Sequence, residues 1–259
     1  MNSPTHRATN EMFFQLVALL LSVIIIHTIY VTVVRPNADS TIRRHAEMAA
    51  AGEEYVVPRS FFIVVKDIEQ ESCFILMFWA LAIMGYKTRT SMREKHMLEL
   101  PLMSIAEGSR VLPDDASQLA RPLQALPDEQ RSYLLPRALQ TALTRFQVTD
   151  SVQFATEAVT NVCDTENDRL DSELSMVRYI TWAIPSIGFI GTVRGIGAAL
   201  GQAHEAMEGN IAGVTSSLGV AFNSTFIALL ISMVVMLSLI HISEPTRRTP
   251  ISYAVFCLK

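Results

Sequence analysis

The stretch Tyr179–Leu200, YITWAIPSIGFIGTVRGIGAAL, decides the reading of this chain, because it is long, apolar and patterned with small residues. At about 1.5 Å of rise per residue, a helix of this length crosses a hydrocarbon core of about 30 Å. Pro185, Gly188, Thr192, Gly195 and Ala199 recur at steps of three and four, so they share one helical face. That face is small and carries a single hydroxyl, Thr192. Val214–Met236 is a second apolar run of membrane length, and there Ser217, Ala221, Thr225, Ala228 and Ser232 repeat the pattern. The link at 201–213, with His204, Glu205 and Glu208, is short. The two runs therefore form an antiparallel helix pair, each offering a threonine near mid-depth on a small stripe.

Toward the N-terminus two more runs appear. Phe13–Val34 is too long for the apolar part of a signal peptide and has no small-x-small cleavage site after it, so it reads as a retained span. Cys73–Tyr86, CFILMFWALAIMGY, is shorter, but Trp79 and Tyr86 suit the membrane interface and tilt absorbs the mismatch. Lys87, Arg89, Arg93 and Lys95 follow it against the single acid Glu94, a positive-inside signal. This orientation sets residues 87–178 in the cytoplasm, residues 35–71 and the 201–213 link outside, and both termini in the cytoplasm. Asp39, followed by Ser40 and Thr41, suits the cap of a helix running through Ala49. Val56–Val65 contains Pro58 and Arg59 and is no span.

The prolines at 101, 113, 122, 127 and 136 divide the polar region into short helices. From Thr149 onward Val152, Phe154, Ala155, Val159, Val162, Leu170, Leu174 and Met176 recur near helical spacing, which predicts one amphipathic helix entering the membrane directly. No strand alternation or hairpin turn signal appears. The expected fold is an all-α membrane protein with four transmembrane helices. Its segments are 1–86 with two spans, a cytoplasmic helical region at 87–178, and the helix pair at 179–236.

Composition agrees. Half of the 259 residues are hydrophobic and the net charge is −4, which gives no basic bias toward nucleic acid. Mean hydropathy is +0.29, above an ordinary soluble domain. Cys73, Cys163 and Cys257 are scattered, with no CxxC, so neither a disulfide framework nor a zinc site is implied. His27, His96 and His204 show no HExxH or other metal spacing, and no nucleophile elbow is present, so an enzyme reading finds no support and no cofactor is expected. A dinucleotide-binding reading of the glycines at 188–197 fails for want of a preceding strand.

The chemistry of the helix pair admits two readings. Small faces let helix backbones approach, and Gly191 with Gly195, or Gly197 with Gly201, would serve that purpose. Alternatively Thr192 and Thr225 line a narrow polar path, since a hydroxyl both donates and accepts. Arg194, inside a span, must pair with an acid from another helix, act in gating, or reach out to water. His27 within the first span is a proton relay or a helix–helix hydrogen-bonding residue. Neither Tyr179–Leu200 nor Val214–Met236 contains Asp or Glu, so a proton carrier for this pair is expected from another chain.

Ile184–Leu200 and Leu218–Ser232 (LGVAFNSTFIALLIS) resemble the MotA/TolQ/ExbB proton-channel family. Gly191-Thr192-Val193 followed by Gly195-Ile196 resembles its third-helix GTV-x-GI signature, and Ala221-Phe222, Thr225 and Ala228-Leu229 resemble its fourth-helix threonine motif. The likeness covers about 150–236 and is weak before that. It implies a bacterial inner-membrane, multi-pass subunit assembled as a homopentamer. The ring surrounds two helices of a single-span ExbD/TolR/MotB-like partner, each with a membrane aspartate whose proton flow drives mechanical work. By position Thr192 and Thr225 become the pore-facing hydroxyls. Pro185 occupies the helix-entrance position, and Gly188, Gly191, Arg194, Gly195, Ala221 and Ala228 serve packing or gating. Four spans match MotA, the triplet matches ExbB, and Arg194 replaces an aromatic residue common in ExbB-like proteins. The rival reading is a non-conducting membrane scaffold whose small stripes only pack helices.

Leu237–Lys259 stands apart. Back-translated, Leu237 to about Arg248 matches a transposase-end sequencing adapter, and Ile251–Leu258 matches the flow-cell adapter that follows it. The native sequence is therefore expected to stop near Met236, and Cys257 and the Arg247–Arg248 pair carry no functional meaning.

Overall fold

A computed structural model describes residues 4–50, 60–97, 102, 111–209 and 211–257, all of whose regular elements are helical. Helix α1, Pro4–Ile29, runs through a π turn at Tyr30–Val34 into α2, Arg35–Ala50. Pro36 explains the turn. It has no N–H for the Thr32 carbonyl, and its ring would crowd that oxygen. The Arg35 N–H instead bonds to the Tyr30 carbonyl, and the wider turn carries the helix past the proline without a break. The helix expected to start at Asp39 therefore has no start there. Asp39 lies mid-helix, and the Ser40 and Thr41 hydroxyls both donate back to the Asn37 carbonyl instead of capping.

A short helix α3, Phe61–Val64, leads to α4, Ile68–His96. The charges of α4 suit its dipole, with Glu69 and Glu71 in the first turn and Arg93, Lys95 and His96 in the last. Trp79 is half-buried, and its indole N–H donates to the Gln15 carbonyl of α1 at 3.0 Å, a role inside the chain beyond the interfacial one expected. Four helical segments among the described residues are long and apolar enough to cross a membrane: Glu11–Arg44, Ile68–His96, Val152–Gly201 and Ala212–Ile242.

Contacts divide the chain into two compact units, Met1–Ile83 with Val177–Ser238, and Met84–Met176 with Leu239–Lys259. In the second unit a 3-10 turn at Pro113–Asp115 opens α5, Ala116–Gln124, followed by α6, Asp128–Arg131, and α7, Leu134–Thr149. The expectation that each proline separates helices holds in part. Pro113 begins its turn and Pro127 precedes α6, but Pro136 sits in the first turn of α7 and Pro122 lies inside α5. A first-turn proline lacks only an N–H that has no helical partner anyway. Pro101 and Pro58 lie outside the described residues.

Helix α8, Val152–Gly201, is continuous, as the amphipathic pattern predicted, although it begins after Asp150, in a left-handed turn at φ 49°, and not at Thr149. Ala138, Ala142, Val159 and Cys163 form a core between α7 and α8, with Leu134 and Val162 against it. Val152, Phe154 and Met176 belong to the expected apolar face but stay exposed. Charges extend the contact: Glu166 pairs with Arg169 at 2.6 Å and Arg137 at 3.4 Å, and Lys87 reaches Glu173 at 2.7 Å.

In the first unit α8 turns through α9, Ala203–Met207, and Gly209 at φ +96° into α10, Ala212–Cys257. A left-handed backbone at Gly209 needs the missing side chain. The turn is closed by Gln202, whose Oε1 accepts from the Ser217 hydroxyl at 3.4 Å and fills the space a Cβ on Gly213 would take.

Candidate functional site

The seam between α8 and α10 is built on absent side chains. A Cβ on Gly188 would collide with Ala228 Cβ, and one on Gly191 would sit 2.5 Å from Ser224 Cβ. On Gly195 it would meet the Ala221 backbone nitrogen at 2.7 Å and the Ser217 carbonyl at 2.8 Å. The two helices thus touch backbone to backbone along the stripe, as small faces allow. Gly197 and Gly201, expected to pack in the same way, have open space around them within the chain.

Close approach brings polar groups together. Pro185 removes the N–H that the Thr181 carbonyl would otherwise accept, and the Ser232 hydroxyl of α10 donates to that oxygen at 3.2 Å. Further along, Thr192 and Thr225, both half-buried, are hydrogen-bonded to each other through their hydroxyls. Thr192 also reaches the Ala221 carbonyl at 3.2 Å and the Gly188 carbonyl at 3.3 Å, and Thr225 reaches the Gly188 carbonyl at 3.3 Å. Two hydroxyls carry two hydrogens. Either Thr192 donates to Thr225 and Thr225 to Gly188, or Thr225 donates to Thr192 and Thr192 to a carbonyl. Rotating both hydroxyls reverses the chain of donors.

Arg194 leaves the seam on another face and finds its acids at the start of α4, Glu69 within it and Asp67 just before it. Its Nε lies 2.6 Å from Glu69 Oε1 and its Nη2 donates to Glu69 Oε2 at 2.8 Å, a two-pronged grip, with Asp67 Oδ1 at 3.7 Å. Of the readings left open for Arg194, the geometry supplies the pairing with an acid from another helix. Two residues further along α4, Glu71, 6% exposed, is held by His27 Nδ1 and by Arg35 Nη2, each at 2.7 Å. His27 is thus a helix–helix hydrogen-bonding residue here. Between these pairs Gln70 donates to the Val64 carbonyl at 3.1 Å and to the Ser224 hydroxyl at 3.4 Å. Asp67, at the head of α4, is pushed above the usual carboxylate range, first by burial and then by Glu69, against the opposing pull of Lys66 and Arg194.

Sequence reading named the threonines, the glycines and Arg194 but missed the acids Asp67, Glu69 and Glu71. The available signal was a lone span arginine together with three carboxylates at the mouth of the second span. Elsewhere, His204 lies 3.9 Å from Glu208, both exposed. Among the described residues no group of three His, Cys, Asp or Glu side chains is placed to hold a metal ion.

Comparison with protein families gives a match over residues 119–248 to the family described as the MotA/TolQ/ExbB proton channel family, which covers half of the chain. No curated protein and no solved structure matches.

Proposed function

Because this chain belongs to the MotA/TolQ/ExbB proton channel family, we propose that it is a stator-type proton-channel subunit of the bacterial inner membrane, coupling proton flow to mechanical work on a partner. The observation that carries this reading is the reversible hydroxyl chain of Thr192 and Thr225, inside the matched segment and between two membrane-length helices. A relay of this kind passes protons but does not hold them, since neither hydroxyl titrates near neutral pH.

The carrier is a membrane aspartate of a single-span ExbD/TolR/MotB-like partner. The carboxylates nearest the seam in this chain are engaged, Glu69 by Arg194 and Glu71 by Arg35. A homopentamer accounts for the apolar residues left uncovered on α8 and α10, including Phe189, Ile190, Phe222 and Phe226. Residues 87–178 face the cytoplasm and the 201–213 link faces the periplasm, as the basic cluster from Lys87 to Lys95 indicates.

Proton uptake into vesicles tests the reading. The subunit alone should conduct little, addition of the aspartate-bearing partner should open the path, and asparagine in place of that aspartate should close it. Thr225→Val keeps the side-chain volume and should slow uptake about tenfold, the rate equivalent of ~1.4 kcal/mol, with assembly intact. A subunit that conducts strongly by itself would remove the two-component scheme. The scaffold reading also draws on the glycine seam; it predicts no flux under any of these conditions.

A further inference from the structure

We propose that Gln70 is a positioning residue for the Thr192–Thr225 pair: from α4 it holds α10 at Ser224, so that the two threonine hydroxyls meet. The inference rests on the relay reading of that pair and adds a third helix to the site.

Three helices meet at Gly191. A Cβ there would lie 2.6 Å from Ser224 Oγ on α10 and 3.1 Å from Glu69 Cγ on α4. Gly191 immediately precedes Thr192, and Ser224 immediately precedes Thr225. Consecutive residues of α4 then hold the two threonine-bearing helices separately. Glu69 grips Arg194, two residues past Thr192 on α8. Gln70 donates to the Ser224 hydroxyl on α10 at 3.4 Å.

The direction of the Gln70 bond follows from counting hydrogens. Nε2 carries two, one directed to the Val64 carbonyl at 3.1 Å, which only accepts, and the other to Ser224. Ser224 gives its own hydrogen to the Val220 carbonyl at 2.9 Å, which leaves its lone pairs to receive Gln70. Gln70 is 0% exposed and Ser224 1%, so bulk water offers neither a substitute partner. Ser224 and Thr225 point about 100° apart around the helix axis, so holding the first against α4 sets the direction in which the second faces α8. A proton passes between hydroxyls only within hydrogen-bond reach, about 2.6–3.2 Å, and the bond weakens steeply below about 120°. Gln70 therefore acts on the relay through the rotation of α10, as Glu69 does through Arg194 on α8.

The test is partner-driven proton uptake into vesicles by the full chain, Gln70→Met, Thr225→Val and the double variant. Methionine keeps the length of the side chain but donates no hydrogen bond. Gln70→Met should slow uptake by at most about tenfold, the loss expected of Thr225→Val. Once Thr225→Val has removed the hydroxyl, Gln70→Met should have no further effect. A residue that only stabilised the fold would lower uptake equally in both backgrounds. Unchanged uptake in Gln70→Met, or effects that multiply in the double variant, would overturn the proposal. The geometry is read without flux, from the rate at which Thr192→Cys and Thr225→Cys form a disulfide with each other, identified by mass spectrometry. Gln70→Met should slow its formation severalfold, and an unchanged rate would overturn the proposal. If the original chain takes up no protons with its partner, the relay reading falls, while the disulfide still decides whether Gln70 positions the pair. If Gln70→Met fails to insert, Ser224→Ala breaks the same contact from the other side and takes its place in both measurements.

Discussion

The hydroxyl seam between α8 and α10 and the ionic layer at the head of α4 hold the same helix, α8, by opposite means. The seam works by omission. Gly188, Gly191 and Gly195 leave no room for a side chain, and the helices approach until hydroxyls reach carbonyls across the gap. The ionic layer works by compensation, each buried carboxylate being matched by a guanidinium or an imidazole. The contrast teaches that the two contacts respond differently to substitution. Compensation fails when one member is removed and recovers when both are. Omission fails on any addition, and no second change on the same helix repairs it.

The largest effect should come from the layer. Arg194→Met leaves Glu69, 7% exposed, without its main partner and should cost about 3 kcal/mol. The readout is the unfolding midpoint in detergent. Pairing it with Glu69→Met should restore most of the loss, because no isolated charge then remains buried. A single variant as stable as the original chain would mean the layer holds nothing.

A smaller effect is expected in the seam. Gly195→Ala adds one methyl against the Ala221 backbone and should cost about 2 kcal/mol, whereas Gly197→Ala, with open space, should be neutral or gain up to about 1 kcal/mol. Equal effects at the two glycines would show that helix propensity, not close approach, governs this face. The smallest belongs to Thr225→Val, about 1 kcal/mol, since Thr192 keeps its carbonyl acceptors at Gly188 and Ala221. A loss larger than that of Gly195→Ala would transfer the seam's stability from packing to hydroxyls.

Periodicity made much of this legible in the sequence. Small residues at steps of three and four placed Thr192 and Thr225 on facing stripes, and the structure joins them. Length and apolarity gave the four membrane-length helices, and the unbroken pattern past Thr149 gave the continuity of α8. Pattern along one helix, however, does not say which helix lies beside it. Arg194 and Glu69 are 125 residues apart, and their pairing depends on how α4 packs against α8. The same holds for the glycines. Gly197 and Gly201 have the spacing of a packing motif, and only the placement of α10 separates them from Gly191 and Gly195. The uninterrupted passage from α1 to α2 was hidden for a different reason. Asp39-Ser40-Thr41 offers a valid cap, but a cap is used only where the backbone stops being helical, and the π turn ahead of Pro36 removes that need.

The π turn also sets angular register. A turn closed over five residues holds one residue more than an α turn, so every side chain beyond Val34 is set back around the helix axis. His27 lies before that offset and Arg35 after it, yet both meet the same Glu71 carboxylate at 2.7 Å. A straight α-helix would swing Arg35 away by an angle of the order of one residue's advance, about 100°. Glu71 thus works as a phase lock, gripped from both sides of the offset, and keeps the upper and lower halves of the first rod from turning independently.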